Sequence, residues 1–185
     1  MRIIKIVPDT VVDGPGLRTS IYFAGCKVHC EGCHNLESWN LSGGEEMYPT
    51  EVLCKIKEYG NKRVTLTGGN PLDQEHLFHI QTLCESLKKE GYDIWLYTGY
   101  TWEHVIREIQ DFMWRPGSRR IELVKILDNI DVLVDGPFML SKKDSSLLYR
   151  GSSNQRLIDV QKSLRSNKVI IYEDDGNAPA DSRTD

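Results

Sequence analysis

The sequence predicts an α/β fold with a largely parallel sheet, and three observations support this prediction. Short runs rich in β-branched residues alternate with longer segments whose apolar residues recur at helical spacing. The run from Asp131 to Asp135 is apolar throughout between its two aspartates, which is typical of a parallel strand buried on both faces. The chemically distinctive motifs directly follow predicted strands, at the edge where such sheets form their sites.

The first half of the chain contains the longer predicted elements. Its strands cover residues 3–7, 19–24 and 63–67. Thr50 is the predicted N-cap of the first helix, which ends at Gly60. The second helix is followed by Gly91, which is a common residue just past a helix end. The apolar stripe of this second helix is formed by Leu77, Ile80, Leu83, Cys84 and Leu87.

The second half continues the alternation with shorter elements. Thr101 is the predicted N-cap of a helix that extends to Phe112 and is interrupted at 116–117, a Pro-Gly pair. A further helix is predicted over residues 121–127, where apolar residues again recur at helical spacing. The predicted strands of this half cover residues 93–98, 131–135, 157–160 and 168–172.

Length and composition favour a single domain in the cytoplasm. We expect residues 1–173 to form one α/β domain and the polar segment 174–185 to be a disordered tail. No apolar run approaches the ~20 residues that span a bilayer, so no membrane partner is expected. The five cysteines are an odd number, which a reducing compartment would keep as thiols. The net charge of −4 argues against nucleic acid as the main partner.

The most informative feature is a run of three cysteines with the spacing C-x3-C-x2-C. Cys26, Cys30 and Cys33 supply three thiol groups from one short loop that follows the second predicted strand. A cubane cluster contains four irons, so three cysteines leave one iron free to bind another molecule. An open coordination position also distinguishes catalytic from structural zinc sites. The spacing therefore predicts a catalytic iron–sulfur cluster.

Two other metal-binding interpretations use the same loop. Cys30, Cys33 and His34 fit the C-x-x-C-H motif that attaches a c-type haem. That attachment requires export, and it leaves Cys26 without a role. A zinc site would combine the three cysteines with His29 or His34, but all its ligands would then crowd into one short loop.

The cysteine spacing resembles the signature of the radical S-adenosylmethionine (SAM) enzymes. That resemblance implies a [4Fe-4S] cluster bound by three cysteines, with SAM bound at the open iron and cleaved reductively to a 5′-deoxyadenosyl radical. It also implies that the domain 1–173 is a single radical SAM domain, built as a shortened, open radical-SAM-type partial (β/α) barrel. The residues that it assigns to SAM are Gly32, Cys33, His34, Gly68, Gly69 and Asn70. Asn70 stands where the family usually has an acid, so the negative charge at that position is lost.

A second motif narrows the resemblance to the activases of glycyl radical enzymes. Residues 13–18, Asp-Gly-Pro-Gly-Leu-Arg, precede the cysteine run, and residues 33–35, Cys-His-Asn, complete it. Three later stretches, 96–100, 131–138 and 150–156, resemble one branch of these activases. The protein substrate of that branch is the large subunit of an anaerobic ribonucleoside-triphosphate reductase.

Membership of that branch implies radical chemistry without a catalytic side chain of the acid or base type. One electron would enter the cluster from a flavodoxin-like donor. The 5′-deoxyadenosyl radical would then take hydrogen from a glycine Cα of the reductase and leave a glycyl radical there. A splayed sheet with an open edge would accept the loop of the partner that carries this glycine.

Three alternatives remain open on the sequence alone. An activase of another glycyl radical enzyme, such as pyruvate formate-lyase, would not be expected to carry the run at 151–156. A radical SAM enzyme that acts on a small molecule, such as a deazapurine-forming synthase, would not need the Asp-Gly-Pro-Gly and Cys-His-Asn motifs. A non-catalytic zinc-binding module would use the cysteines only to dock a partner.

The other cysteines and histidines are not predicted to bind the cluster. Cys84 lies on an apolar helical stripe and Cys54 lies beside one, so both are interpreted as small core residues. The histidines without ligand spacing, interpreted as surface or hydrogen-bonded residues, are His76, His79 and His104. The residues near the motifs whose roles stay open are His29, Asp135 and Asn154.

Overall fold

The computed structural model describes residues 1–110 and 119–173. The strands are β1 (Arg2–Thr10), β2 (Arg18–Phe23), β3 (Glu45–Glu46), β4 (Arg63–Gly68), β5 (Asp93–Tyr97), β6 (Val132–Asp135) and β7 (Arg156–Asp159). The helices are α1 (Pro49–Tyr59), α2 (Leu77–Lys89), α3 (Trp102–Gln110), α4 (Arg120–Asn129) and α5 (Val160–Ser166). Across the two described ranges, no helix has both the length and the apolar character needed to cross a membrane.

The strands form one open sheet in the order β3-β1-β2-β4-β5-β6-β7. The central strands β2, β4, β5 and β6 run parallel to one another. The flanking strands β1, β3 and β7 pair antiparallel with their neighbours. Because β3 and β7 end the series at opposite edges, the described part of the sheet does not close into a barrel. The predicted α/β class, with an open and mostly parallel sheet, is therefore confirmed.

The helices cover one face of the sheet. Leu66 of β4 and Leu96 of β5 belong to the same buried core as Ile56 of α1 and Leu83 of α2. Successive strand residues point to opposite faces, so the residues between these apolar positions point away from the helices. On that second face a small separate cluster surrounds Trp95. The helices therefore cover a face of the sheet, and the loops at the carboxyl ends of the parallel strands remain available to form a site.

Two local predictions are wrong, and both errors concern short-range signals. Helix α1 begins at Pro49, and the backbone N–H of Tyr48 donates to the Glu51 carboxylate at 2.6 Å, so Thr50 lies inside the first turn and is not the N-cap. No strand covers residues 168–172, where a single bridge joins Ile171 to β7. Directly after β7 the chain forms α5, and residues 168–172 follow that helix.

Three predictions fall outside the described residues. Phe112 as the end of a helix and the break at 116–117 lie in the segment 111–118. The predicted disordered tail, 174–185, follows the last described residue.

The N-cap prediction at Thr101 is confirmed, because its hydroxyl accepts the backbone N–H of His104 at 3.2 Å.

Arg18, the last residue of the Asp-Gly-Pro-Gly-Leu-Arg motif, is fully buried at the start of β2. Its guanidinium donates to the Thr65 hydroxyl at 2.6 Å and to the carbonyl of Val64 at 3.1 Å. It also donates to the carbonyl of Pro15 at 3.0 Å and to the Asp93 carboxylate at 2.9 Å. This side chain therefore fastens the glycine-rich turn to β4 and β5.

We expect Arg18→Met to lower the free energy of unfolding by about 3 kcal/mol. Breaking a buried ion pair costs about 3–5 kcal/mol, and the lower end applies because the Asp93 side chain keeps 41% of its surface exposed to water. Urea denaturation measures the change. Arg165→Met, on the exposed surface of α5, is the matched control and should stay within about 0.5 kcal/mol of the wild type. Equal losses in the two variants would contradict the fastening role of Arg18.

Candidate functional site

A cavity of about 190 Å³ opens at the carboxyl ends of the parallel strands. It receives the loops that follow β2, β4, β5 and β6, so segments far apart in sequence meet there. The sequence-predicted site residues that line it are Cys26, Cys30, Cys33, His34, Gly68 and Gly69. Gly32 and Asn70 are not among the lining residues. The structure thus gathers six of the eight predicted positions around one space.

The three motif cysteines are free thiols, and each is partly buried. Burial raises the pKa of Cys26 and that of Cys30, although backbone N–H groups oppose the shift. Val28 and His29 donate such N–H groups to Cys26, and the backbone N–H of Asn35 lies 3.4 Å from the sulfur of Cys33.

The donor set fits an iron–sulfur cluster. Cysteine thiolates are the usual ligands of such clusters, and hydrogen bonds to the sulfurs tune their potential. Cys30 adds to this pattern, because its sulfur accepts a backbone N–H from Phe138, on the loop after β6. The cavity therefore brings soft thiol ligands together with polar backbone groups from two separate loops.

Neither histidine of the cysteine loop joins a compact metal-binding group. In the described ranges, no three side chains of histidine, cysteine, aspartate or glutamate are grouped so that they could hold one metal ion. His29 has a left-handed backbone with φ of 49° and stacks on Trp39, with 4.5 Å between ring centroids. His34 is exposed at the cavity wall. A cluster requires a different arrangement from a single ion, because each cysteine binds its own iron.

Gly68 packs against the end of β2, and Gly69 packs against the cysteine loop, so closely that neither position has room for a side chain. A Cβ at Gly68, where φ is 97°, would lie 2.6 Å from the backbone nitrogen of Phe23. A Cβ at Gly69 would overlap the carbonyl oxygen of Gly25 and lie 2.9 Å from that of Ser38. The Gly69 N–H donates to the carbonyl of Phe23 at 2.8 Å. Close backbone packing is thus one physical reason for the glycine pair.

Asn70 is fully buried beside the cavity, and its side chain is engaged within the protein. Its Oδ1 atom accepts the backbone N–H of Leu72 at 3.2 Å and the hydroxyl of Thr98 at 3.0 Å. Its Nδ2 atom donates to the Asp73 carboxylate at 3.0 Å. Its own backbone N–H donates to the carbonyl of Gly25 at 2.8 Å. The Asn70 side chain therefore bonds to the protein around the cavity, and its backbone N–H contacts the cysteine loop directly.

The later motif stretches form the far wall of the cavity. Asp135 is 1% exposed and accepts the backbone N–H of Trp102 at 2.7 Å and two guanidinium N–H groups of Arg156. Asn154 donates from its side-chain amide to the carbonyl of Pro137 at 2.8 Å. Both side chains therefore hold loops together at this wall, and the Oδ1 atom of Asn154 is buried there without a hydrogen-bond partner among the described residues.

Several cavity residues were not identified by sequence reasoning. These additional lining residues include Asp13, Tyr22, Trp39, Tyr97, Phe138 and Gln155. Asp13, Phe138 and Gln155 lie within motif stretches, so their motifs gave a usable signal. Tyr22 and Trp39 lie outside these stretches, so no motif marked them as site residues. The hydrogen bond that the Tyr22 hydroxyl donates to Asp13 at 2.7 Å forms only in the folded chain.

The two remaining cysteines lie on helices, away from the cavity lining. Cys84 is fully buried in α2, as predicted, and burial raises the pKa of its thiol to about 12. Cys54 is exposed on α1, so the prediction that it is a core residue is wrong. The buried face of α1 is formed by Val52 and Ile56, and Cys54 lies to one side of that face and is exposed to solvent.

Comparisons with known proteins agree with this geometry. Residues 12–158 match the family model described as "4Fe-4S single cluster domain". The anaerobic ribonucleoside-triphosphate reductase-activating protein of Pasteurella multocida is 35% identical, over 84% of this chain and 95% of the relative. The proteins of the same name from Vibrio cholerae and bacteriophage T4 are 36% and 31% identical, over 80% and 83% of this chain and 91% and 90% of the relatives. The chain, with its 4Fe-4S single cluster domain, therefore belongs to the family of anaerobic ribonucleoside-triphosphate reductase-activating proteins.

Proposed function

We propose that this chain is a radical SAM activase that generates a glycyl radical on an anaerobic ribonucleoside-triphosphate reductase. The observation that carries the proposal is the meeting of three thiols and the Gly68-Gly69 backbone around one cavity. Three cysteines leave an iron of a [4Fe-4S] cluster open, and the adjoining backbone offers polar groups to a ligand of that iron. The names of the relatives support the choice of partner.

Each set of site residues has a distinct role in the proposal. Cys26, Cys30 and Cys33 hold the cluster as thiolates. Gly32 and His34 present the backbone of the cysteine loop to SAM, together with Cys33. The segment from Gly68 to Asn70 receives the methionine end of SAM through its backbone, since the side chain of Asn70 is engaged elsewhere. The charge that the family usually has at this position is then not required for a direct contact.

The chemistry needs no acid or base from the chain. When bound, the cluster and SAM together supply one-electron cleavage of SAM to methionine and a 5′-deoxyadenosyl radical, which takes a hydrogen atom from a glycine Cα. The protein binds these groups, orients them and limits the access of water. A flavodoxin-like protein is the proposed electron donor. The large subunit of the reductase is the proposed substrate, and the open edge of the described sheet suits a substrate of that size.

The test is anaerobic electron paramagnetic resonance (EPR). The protein is reconstituted with iron and sulfide, reduced, and mixed with SAM and an anaerobic ribonucleotide reductase. We expect the doublet of a glycyl radical, dependent on SAM, absent with Cys26→Ala and retained with Cys54→Ala. A cluster that cleaves SAM but leaves the reductase without a radical would move the target to another glycyl radical enzyme. Stoichiometric zinc without iron would overturn the proposal altogether.

A further inference from the structure

Asp73 is a buried carboxylate that contacts the cysteine loop, and it lies outside the motifs of that loop and of the glycine pair. Only 3% of this residue is exposed. Its Oδ2 atom accepts the backbone N–H of Lys27 at 2.8 Å and the side-chain amide of Asn70 at 3.0 Å. Its Oδ1 atom accepts the hydroxyl of Tyr100 at 2.7 Å. One carboxylate therefore joins the cysteine loop, the turn after β4 and the loop after β5.

The contact with Lys27 reaches between two cluster ligands, because Lys27 directly follows Cys26 in the loop that leads to Cys30. Hydrogen bonds from N–H groups to a carboxylate are charge-assisted and are about twice as strong as neutral ones. A buried carboxylate that lost them would be strongly destabilised. Asp73 is thus well suited to fix the orientation of the loop, because its buried negative charge is stabilised by the N–H groups of Lys27 and Asn70.

The segment from Asn70 to Gln74 also holds the start of the cysteine loop at two further points. The backbone N–H of Asn70 donates to the carbonyl of Gly25 at 2.8 Å. The side-chain amide of Gln74 donates to the carbonyl of Ala24 at 2.6 Å. Together with the contact from Lys27 to Asp73, these bonds fasten three positions of the loop to one short segment.

The chemistry of residues 70 and 73 is coupled. Asn70 can donate to Asp73 only because its side chain carries an amide NH₂ group. An acid at residue 70 would place a second carboxylate oxygen 3.0 Å from the first, in a buried setting without an added counter-charge. The neutral amide at this position is therefore matched to the acid three residues later.

We propose that Asp73 is a positioning residue that sets the cysteine loop against the Gly68–Asn70 turn, and that its carboxylate requires an amide at residue 70. The part of this inference that concerns SAM rests on the proposed function. The part that concerns the cluster rests only on the 4Fe-4S domain and on the hydrogen bonds to Lys27 and Asn70.

The experiment compares Asp73→Asn, Asn70→Asp and the double variant that exchanges the two residues. Asp128→Asn is the matched control, since Asp128 is exposed on α4. Iron and sulfide content and the EPR spectrum of the reduced cluster are recorded before SAM is added. The change of that spectrum with SAM concentration then gives the affinity for SAM.

We expect Asp73→Asn to alter the EPR spectrum of the reduced cluster and to weaken SAM binding about tenfold, because a charge-assisted contact to the loop is lost. Asn70→Asp should bind less iron than the wild type, since two carboxylates then face each other. In the double variant the amide introduced at residue 73 can donate to the carboxylate introduced at residue 70, so iron content should recover relative to Asn70→Asp. The contact to Lys27 is not restored by the exchange, so the altered spectrum should persist.

Tyr100→Phe keeps the inference testable if Asn70→Asp fails to fold. It removes one hydrogen bond of Asp73 but leaves those to Lys27 and Asn70, so the cluster spectrum should match the wild type. A spectrum of Asp73→Asn that matches those of the wild type and of Asp128→Asn would overturn the positioning role. An exchange variant no better than Asn70→Asp would overturn the coupling. A wild-type spectrum that does not respond to SAM would sink the proposed function, while the cluster readouts would still judge Asp73.

Discussion

Replacement of Cys26, Cys30 or Cys33 by alanine is expected to abolish assembly of the iron–sulfur cluster. Each variant leaves two motif thiols, and a four-iron cluster then has two irons without a protein ligand. The rest of the described chain offers no substitute thiol beside the cavity, because Cys54 and Cys84 are not among its lining residues. Iron and sulfide analysis after anaerobic reconstitution, with the visible absorption of the cluster, measures the loss.

The controls for this prediction are the other two cysteines. Cys54→Ala changes an exposed side chain and should keep both the cluster and the stability of the wild type. Cys84→Ala removes a fully buried sulfur, so it should lower the free energy of unfolding by about 1 kcal/mol and still keep the cluster. Loss of iron from Cys54→Ala would show that the ligand assignment is wrong.

Gly69→Ala is expected to have the next largest effect, through displacement of the cysteine loop. The added Cβ would overlap the carbonyl oxygen of Gly25 and crowd that of Ser38, and both are backbone atoms that cannot move alone. Overpacking of a tight site costs about 1–3 kcal/mol, and we expect a loss of about 3 kcal/mol here because backbone must shift. Binding of SAM should fall below detection. Urea denaturation and the response of the cluster EPR spectrum to SAM measure the two effects.

Gly91→Ala is the matched control for this glycine. Gly91 has φ of 79°, but no atom lies within 4 Å of a Cβ built on it. Its replacement should therefore cost about 1–2 kcal/mol from the left-handed backbone alone and leave cluster and SAM binding intact. If both variants bound SAM equally well, the close approach of Gly69 to the cysteine loop would not matter for the site.

The regular part of the fold was predictable because its signals are local. Strands β5 and β6 are mostly apolar, β4 alternates apolar residues with threonine, and α2 carries an uninterrupted apolar stripe. The elements at the edges of the sheet have weaker sequence signals. Strand β3 is only Glu45–Glu46 and has no apolar residue, so its pairing with β1 comes from tertiary structure. Helix α5 was missed because Val160 continues the apolar pattern of β7, although Asp159 caps a helix there by accepting the backbone N–H of Lys162.

The site was predictable only where residues belong to contiguous motifs. Six of the eight predicted positions line the cavity, because the cysteine run and the glycine pair each follow a parallel strand. The hydrogen bond between Asp73 and Tyr100 could not be found in this way, since it joins loops after different strands. The burial of the Asn70 side chain was equally hidden. Its partner Thr98 becomes a neighbour only when β4 and β5 lie side by side.

The fastening of the cysteine loop has a consequence for the order of assembly. Its hydrogen bonds from Asn70 to Gly25, from Gln74 to Ala24 and from Gly25 to Ser38 use no cysteine sulfur. Their free energy is therefore available to the apoprotein, unlike that of a zinc finger, in which metal binding drives folding. We therefore expect iron to enter a preorganised loop, so that loss of the cluster would leave a folded scaffold that can be loaded again.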